Sequence, residues 1–221
     1  MIGGVNPTSA VEAARRGIYA YNLATWPIVI VTYLLGVIAL VLAVKKTKYS
    51  NRTISGILAF LWLWSGIVPC VVFFAWMFRA GAIWYLFGLI LVVGCVLFLS
   101  FGVIRSSLSF KFTGDSYNIL GAAMAVYSML IYPIIGSLTE RGYPAYPIFG
   151  TFPCPVTIFT FGLLLWADRK VPKIVTVMPL VWALTGVLWA FMYLIWADVG
   201  LIILGIVGFV TILRRNVRLP T

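Results

Sequence analysis

Three cysteines are the most reactive side chains in this sequence, and two of them lie next to proline. Cys70 follows Pro69, and Cys154 lies between Pro153 and Pro155. Thiolates bind soft ions such as Cu(I), whereas an unreactive buried cysteine packs as a small apolar residue. The sequence favours packing for Cys70 and Cys154, and it leaves open a soft-metal or redox pair and a structural disulfide.

A second candidate site consists of polar side chains near two apolar runs. One pair precedes Trp26-Pro27, and the others lie in or after the Pro-Cys-Pro sequence. If they face the inside of one helix bundle, they form a polar patch that could bind a small solute. Its members are Asn22, Thr25, Cys154, Thr157 and Thr160. The alternative is that Asn22 and Thr25 belong to an interfacial anchor, as the neighbouring aromatics do in many membrane proteins.

Three tryptophans, Trp182, Trp189 and Trp196, recur every seven residues. On a single helix this spacing places them on one face, with about 20° of drift per step. The pattern is typical of a packing or lipid-facing stripe. A groove for a flat apolar ligand such as a quinone is the alternative.

The residues that are missing exclude several functions. The chain has no histidine, which removes haem ligated by histidine and the commonest general base. No lysine occurs in the last apolar run, which excludes a retinal Schiff base there. The five acidic residues are predicted at or beyond the ends of the apolar runs, which argues against proton-coupled transport. No catalytic residue or resident cofactor is predicted, and an enzyme is the least supported class.

Composition shows where these residues must sit. The chain is 63% hydrophobic and 10% charged. Its apolar runs have the length of transmembrane helices and lack the alternation of barrel strands. We predict an all-α membrane bundle with seven spans, at Leu23 to Val44, Ile54 to Phe78, Ala82 to Ile104, Tyr117 to Ser137, Phe152 to Trp166, Ile174 to Trp196 and Val199 to Leu213.

Basic residues alternate between the two sides of this topology. Arg15, Arg16, Arg79 and Arg141 lie on one side, and the other twelve lie on the other side. The positive-inside rule predicts an outside N-terminus and a cytoplasmic C-terminus in a prokaryotic plasma membrane. It also explains the net charge of +11 without nucleic acid as a partner.

The predicted organisation has three parts: an interfacial segment at residues 1–22, the seven-helix domain at 23–213, and a basic cytoplasmic tail at 214–221. The first part contains a short helix that lies along the membrane surface. The fifth span is predicted to begin as an extended segment, because Pro155 disfavours a helical conformation at Cys154. The sixth and seventh spans, joined through Ala197 and Asp198, are predicted to form an antiparallel hairpin.

Several segments together resemble an uncharacterised prokaryotic family of multi-pass membrane proteins, a domain of unknown function. They are Tyr21-Asn22, Trp26-Pro27, the stretch from Phe149 to Gly162, Pro179 to Trp182, and Asp198-Val199-Gly200-Leu201. The most specific part is the Pro-Cys-Pro-x-Thr-Ile-Phe-Thr core, which ends at Thr160. The resemblance implies a fold and no established activity.

Two functions fit these observations. The first is a transporter, channel or sensor for a small solute or ion, with its polar site in the outer half near Pro153-Cys154-Pro155. The second is a non-catalytic subunit or assembly factor of a larger membrane complex, with other membrane subunits as partners besides the bilayer.

Overall fold

The structure is a computed structural model that describes residues 7–75, 81–140 and 142–219, with only the backbone of residues 7–10 and 81. Within these ranges the chain forms seven helices and no β-strand, as predicted. Short π-helical segments continue three of the helices. The helices are α1 (Pro7–Val44), α2 (Ser50–Ser65, then π-helical Gly66–Phe74), α3 (Gly81–Leu97, then π-helical Phe98–Ile104), α4 (Ser116–Val126, π-helical Tyr127–Ile131, then Tyr132–Thr139), α5 (Pro153–Leu164), α6 (Lys173–Met192) and α7 (Ala197–Arg218).

Six of these helices, all except α5, are long and apolar enough to cross a membrane. Their outer faces are apolar as well: Leu34, Leu89 and Ile203 are each more than half exposed. Such a surface is stable in lipid and unfavourable in water. The protein is therefore an integral membrane protein.

The helices run back and forth between two ends of the bundle. At one end, which we call the basic end, α1, α3, α5 and α7 finish and α2, α4 and α6 begin. All twelve basic residues of the larger predicted group lie in the segments at this end: Lys45, Lys46, Lys48, Arg52, Arg105, Lys111, Arg169, Lys170, Lys173, Arg214, Arg215 and Arg218. Its cytoplasmic location remains a prediction. Of the four basic residues assigned to the opposite end, Arg79 and Arg141 lie outside the described residues, as does the predicted end of the second span at Phe78.

Helix α1 differs from the prediction of a separate interfacial helix followed by a span. It is one helix of 38 residues, about 57 Å long at 1.5 Å per residue. Val11, Ile18 and Tyr21 are buried against the bundle, so this face packs on protein. The helix continues through Pro27, a residue that transmembrane helices tolerate when neighbouring groups satisfy the freed backbone.

Helix α5 lies at the centre of the bundle, in contact with α2, α4, α6 and α7. It has 12 residues, all buried, and is therefore about 18 Å long and shorter than the hydrocarbon core. The predicted extended conformation at Cys154 was wrong. Pro153 and Pro155 both fall in the first turn, where the backbone N–H has no partner inside the helix.

The non-helical backbone before α5 is held by side chains of α1. Asn22 Nδ2 donates to the carbonyl oxygens of Pro144 at 2.7 Å and Tyr146 at 2.8 Å, and the Tyr21 hydroxyl donates to the Thr151 carbonyl at 3.0 Å. Irregular backbone at membrane depth requires such partners because lipid supplies none. These bonds explain how a short helix can sit inside the bundle.

Helices α6 and α7 pack as the predicted antiparallel hairpin. Helix α6 ends at Met192 and not at Trp196, because Leu194 adopts a left-handed conformation with φ of 56°. A residue other than glycine in this conformation is strained, and such residues occur often at functional sites.

A candidate ligand cavity beside the short helix

A cavity of about 550 Å³ lies at the end of the bundle opposite the basic end. Its volume is within the range of about 300–1,000 Å³ that is usual for small-molecule sites. Aromatic rings form much of the wall: Phe74, Trp84, Phe87, Phe152, Trp182, Trp189 and Tyr193. The rings of Trp84 and Trp189 are 5.6 Å apart, and those of Phe87 and Trp182 are also 5.6 Å apart. The cavity therefore presents a continuous aromatic surface from α3 and α6.

The first turns of α5 and α7 place polar groups in this aromatic surrounding. Cys154 and Asp198 both line the cavity, and the thiol of Cys154 lies next to the Asp198 carboxyl and the Trp182 indole. Asp198 is fully buried, and its Oδ1 accepts a hydrogen bond of 2.6 Å from the hydroxyl of Tyr132. Neither Asp198 Oδ2 nor Trp182 Nε1 has a hydrogen-bond partner among the described residues.

Among the described residues, Asp198 also has no cationic partner. The ion pairs of the described residues join Arg15 to Glu140, Arg16 to Glu12, Lys46 to Asp168 and Arg215 to Asp115. Burying a carboxylate without a counter-charge is costly, so such a group is rarely kept for stability alone. The Asp198 carboxyl is therefore a candidate for binding a cation or a proton.

Irregular helix geometry surrounds the same cavity. Cys70 lies in the π-helical part of α2, and Tyr132 directly follows the π-helical part of α4. The strained Leu194 lies between Tyr193 and Ile195, which both line the cavity. Because π-helical turns and strained residues are frequent at functional sites, these features support the same location.

The predicted polar patch of five residues is divided in the structure. Asn22 holds the segment before α5, and Thr25 donates to the Tyr21 carbonyl one turn earlier at 2.8 Å. Thr160 accepts a hydrogen bond from Trp62 Nε1 at 3.0 Å, whereas the buried Thr157 hydroxyl has no partner among the described residues. Of the five, Cys154 is the one that lines the cavity.

The three cysteines are free thiols and all are buried. Cys70 and Cys154 both line the cavity, and the Cys70 thiol is 3.6 Å from the carbonyl oxygen of Ser65, to which it donates. Cys95 is not among the residues that line it. In the described part of the chain, no three metal-ligating side chains come together. A soft-metal site at Cys70 and Cys154 remains a prediction, and these two thiols would be its ligands.

The predicted tryptophan stripe is interrupted. Trp182 and Trp189 lie on α6 and line the cavity. Trp196 lies beyond the end of this helix and is 48% exposed. Two of the three tryptophans thus lie in the wall of the aromatic cavity, and the third lies outside it.

Asp198 and Tyr132 are the residues of this candidate site that the sequence interpretation missed. Asp198 had been placed at a span end, outside the interior, and Glu140 likewise; both are buried. Helix α7 begins beside the central helix α5, so a residue in the first turn of α7 is enclosed by other helices. The signal in the sequence was an acidic residue inside the tight connection between two apolar runs.

A comparison with protein-family models matches residues 12–220 to a family of unknown function, DUF6064. Because the match covers nearly the whole chain, the protein belongs to this family. The predicted membership in an uncharacterised family is thus confirmed. Neither a curated protein nor a solved structure matches the chain.

Proposed function

We propose that this member of the DUF6064 family binds a small organic cation with apolar substituents in the aromatic cavity and transports or senses it. The observation that carries the proposal is the buried Asp198 carboxyl in the wall of the cavity. Among the described residues, its Oδ2 has no hydrogen-bond partner and the carboxyl has no cationic partner. With the basic end in the cytoplasm, the cavity lies in the outer half of a prokaryotic plasma membrane. The sequence also predicts a site near Pro153-Cys154-Pro155, and Pro153 and Cys154 line this cavity.

Charge and wall chemistry favour the same class of ligand. A carboxylate attracts a cation strongly when water is excluded. Aromatic faces such as those of Trp84, Trp182 and Trp189 attract an organic ammonium through cation–π interactions and also bind its apolar groups. A strongly hydrated ion such as Na⁺ would lose its water shell without carbonyl ligands in return. An amine or quaternary ammonium with apolar substituents fits the cavity better.

A proton competes with such a ligand for Asp198. The titratable groups near this carboxyl are Tyr127, Tyr132, Cys154 and, further away, Glu140. Ligand binding requires the ionised carboxylate, so affinity for a quaternary ammonium should fall as the pH is lowered. A carrier that exchanges a cation for a proton could operate on this competition.

The test uses benzyltrimethylammonium and its uncharged carbon analogue with purified protein in a nonionic detergent. We expect saturable quenching of tryptophan fluorescence by the cation, weaker binding of the neutral analogue, and at least about a tenfold loss of affinity for the cation in Asp198→Asn. Asp168→Asn, at the basic end, is the matched control and should keep the affinity of the wild type. Equal binding of both compounds, or unchanged binding by Asp198→Asn, would refute the proposal.

A further inference from the structure

The rim of the cavity is formed by side chains that also face the outside of the bundle. Ile83 on α3, and Leu188 and Met192 on α6, line the cavity while they are 45%, 44% and 59% exposed. Ile83 and Leu188 are sequence neighbours of the paired indoles Trp84 and Trp189. The aromatic wall therefore continues into an apolar rim on the lipid-facing side of the helices.

Helix α1 adds only small or apolar side chains to the cavity, namely Ala13, Ala14 and Ile18. Its charged residues at this level face a different, polar cavity of about 440 Å³, which is lined by Glu12, Arg15, Arg16, Tyr19, Glu140, Gly142, Tyr143 and Ala145. Among the described residues that line the aromatic cavity, Asp198 is the sole charged one. The described lining of this cavity therefore offers a water-soluble ion no charged group other than Asp198.

Asp198, Met192 and Leu188 lie at different depths along the helices. Asp198 is the second residue of α7, close to the end of the bundle. Met192 is the last residue of α6, and Leu188 lies one turn, about 6 Å, nearer the centre of the membrane. A molecule with its charge at Asp198 could extend its apolar part past Met192 and Leu188 into the hydrocarbon region. Amphiphiles in a bilayer have this arrangement of charge and tail.

We propose, on the basis of the proposed function, that the cavity opens sideways to the bilayer and that its ligand is a single-chain amphiphile with an ammonium head group. The head group binds Asp198 among the aromatic rings, and the alkyl tail leaves across Leu188 and Met192. The ligand reaches the site from the membrane leaflet in which it is dissolved.

The experiment compares decyltrimethylammonium, which has a tail, with benzyltrimethylammonium, which has none, in nonionic detergent. Leu188→Trp fills the rim, and Leu184→Trp is the matched control, because Leu184 is one turn away on α6, is 51% exposed and does not line the cavity. We expect Leu188→Trp to lower the affinity for decyltrimethylammonium at least tenfold and to change that for benzyltrimethylammonium less than twofold. Leu184→Trp should leave both affinities unchanged.

The outcomes separate this inference from the proposed function. If Asp198→Asn weakens both probes but Leu188→Trp weakens neither or both equally, the cation site stands and the lateral opening is wrong. If Asp198→Asn weakens neither probe, the proposed function fails as well. Met192→Trp fills the same rim from the next turn, and it carries the same expectation if Leu188→Trp does not fold.

Discussion

The two ends of the central helix α5 meet charged residues of the same neighbour, α7, but the two charges are balanced differently. At the C-terminal end, Arg215 donates to the Leu165 carbonyl at 2.6 Å and pairs with Asp115 at 3.2 Å. At the N-terminal end, Asp198 lies beside Cys154, and its hydrogen-bond donor is the neutral hydroxyl of Tyr132. The helix dipole of α5 favours both residues, because it favours a negative charge such as Asp198 at the N-terminal end and a positive charge such as Arg215 at the C-terminal end.

The difference indicates a division of roles. At the basic end, Arg215 is paired with Asp115 and holds the C-terminal end of the short helix through the Leu165 carbonyl. The Lys46 ammonium is likewise 2.6 Å from Asp168, and the Asn118 amide donates to the same Leu165 carbonyl at 3.0 Å. The Asp198 carboxyl at the cavity end has no such partner in the part of the chain that the structure describes. Substitutions at the basic end should therefore cost stability, and Asp198 substitutions should cost ligand binding.

The largest effect on stability is expected from Gly162→Ala, near the basic end of α5. A Cβ at this position would lie 2.7 Å from the carbonyl oxygen of Gly121 on α4, and neither backbone can move without disturbing the bundle. We expect a loss of about 3 kcal/mol or more, or failure to fold, measured by thermal unfolding in detergent. Gly56→Ala is the control because nothing lies within 4 Å of its added Cβ. Equal stability of both variants would show that α4 and α5 are not in such close contact.

A smaller loss is expected from Arg215→Met. The substitution removes a buried donor from the Leu165 carbonyl and leaves Asn118 as its remaining side-chain donor. We expect about 1–3 kcal/mol of destabilisation, the usual cost of a lost buried hydrogen bond. Arg214→Met, at an exposed neighbouring position, should change the melting temperature little. A similar shift in both variants would mean that the loss comes from removing any positive charge at this end, and not from losing the hydrogen bond to the Leu165 carbonyl.

The smallest effects on stability are expected from single carboxylates and from their protonation at low pH. Burial tends to raise the pKa of Asp168, but hydrogen bonds from Lys46 and Ser109 lower it more, and the net pKa is below the usual 3.8. For Asp115, burial again tends to raise the pKa, while the Asn118 N–H and Arg215 bring it below the usual value. A carboxylate with a lowered pKa stabilises the fold above its unfolded-state pKa, and this stability is lost as the pH falls through its folded-state pKa.

We therefore expect the melting temperature to fall below about pH 4. Asp168→Asn should be slightly less stable at pH 7 and should lose less on acidification. Asp198→Asn should be as stable as the wild type or more stable at pH 7, because it replaces a buried carboxyl that has no cationic partner among the described residues. Melting curves of the three proteins between pH 3 and pH 7 provide the comparison. A clear loss of stability in Asp198→Asn at pH 7 would mean that Asp198 acts as a structural residue.

Much of the fold followed from local features of the chain. The long apolar runs and the alternating basic segments predicted seven crossings, and the structure shows seven helices in the described ranges. The fifth was recognised as the unusual one from its Pro-Cys-Pro start. Its conformation was wrongly predicted, because the effect of a proline depends on whether it falls in the first turn or further inside a helix.

The site was less predictable. Cys154, Trp182 and Trp189 were chosen from their types and spacing, and all three line the cavity. Asn22 and Thr160 were chosen for the same reasons but are used in hydrogen bonds within the protein. A polar side chain in an apolar sequence must find a partner, and the sequence does not show whether that partner is backbone, side chain or ligand.

The sequence by itself determined that the chain is a bundle of membrane-spanning helices with most of its cations at one end, because long apolar helices are stable in lipid and basic residues collect in the connections between them. The tertiary structure alone decided that α5 is enclosed by its neighbours and that Asp198 is buried in the wall of an aromatic cavity. Burial of a side chain depends on which helices pack around it, and that arrangement arises from contacts between residues far apart in the chain. Asp198 and Tyr132, separated by 66 positions, meet only in the folded bundle.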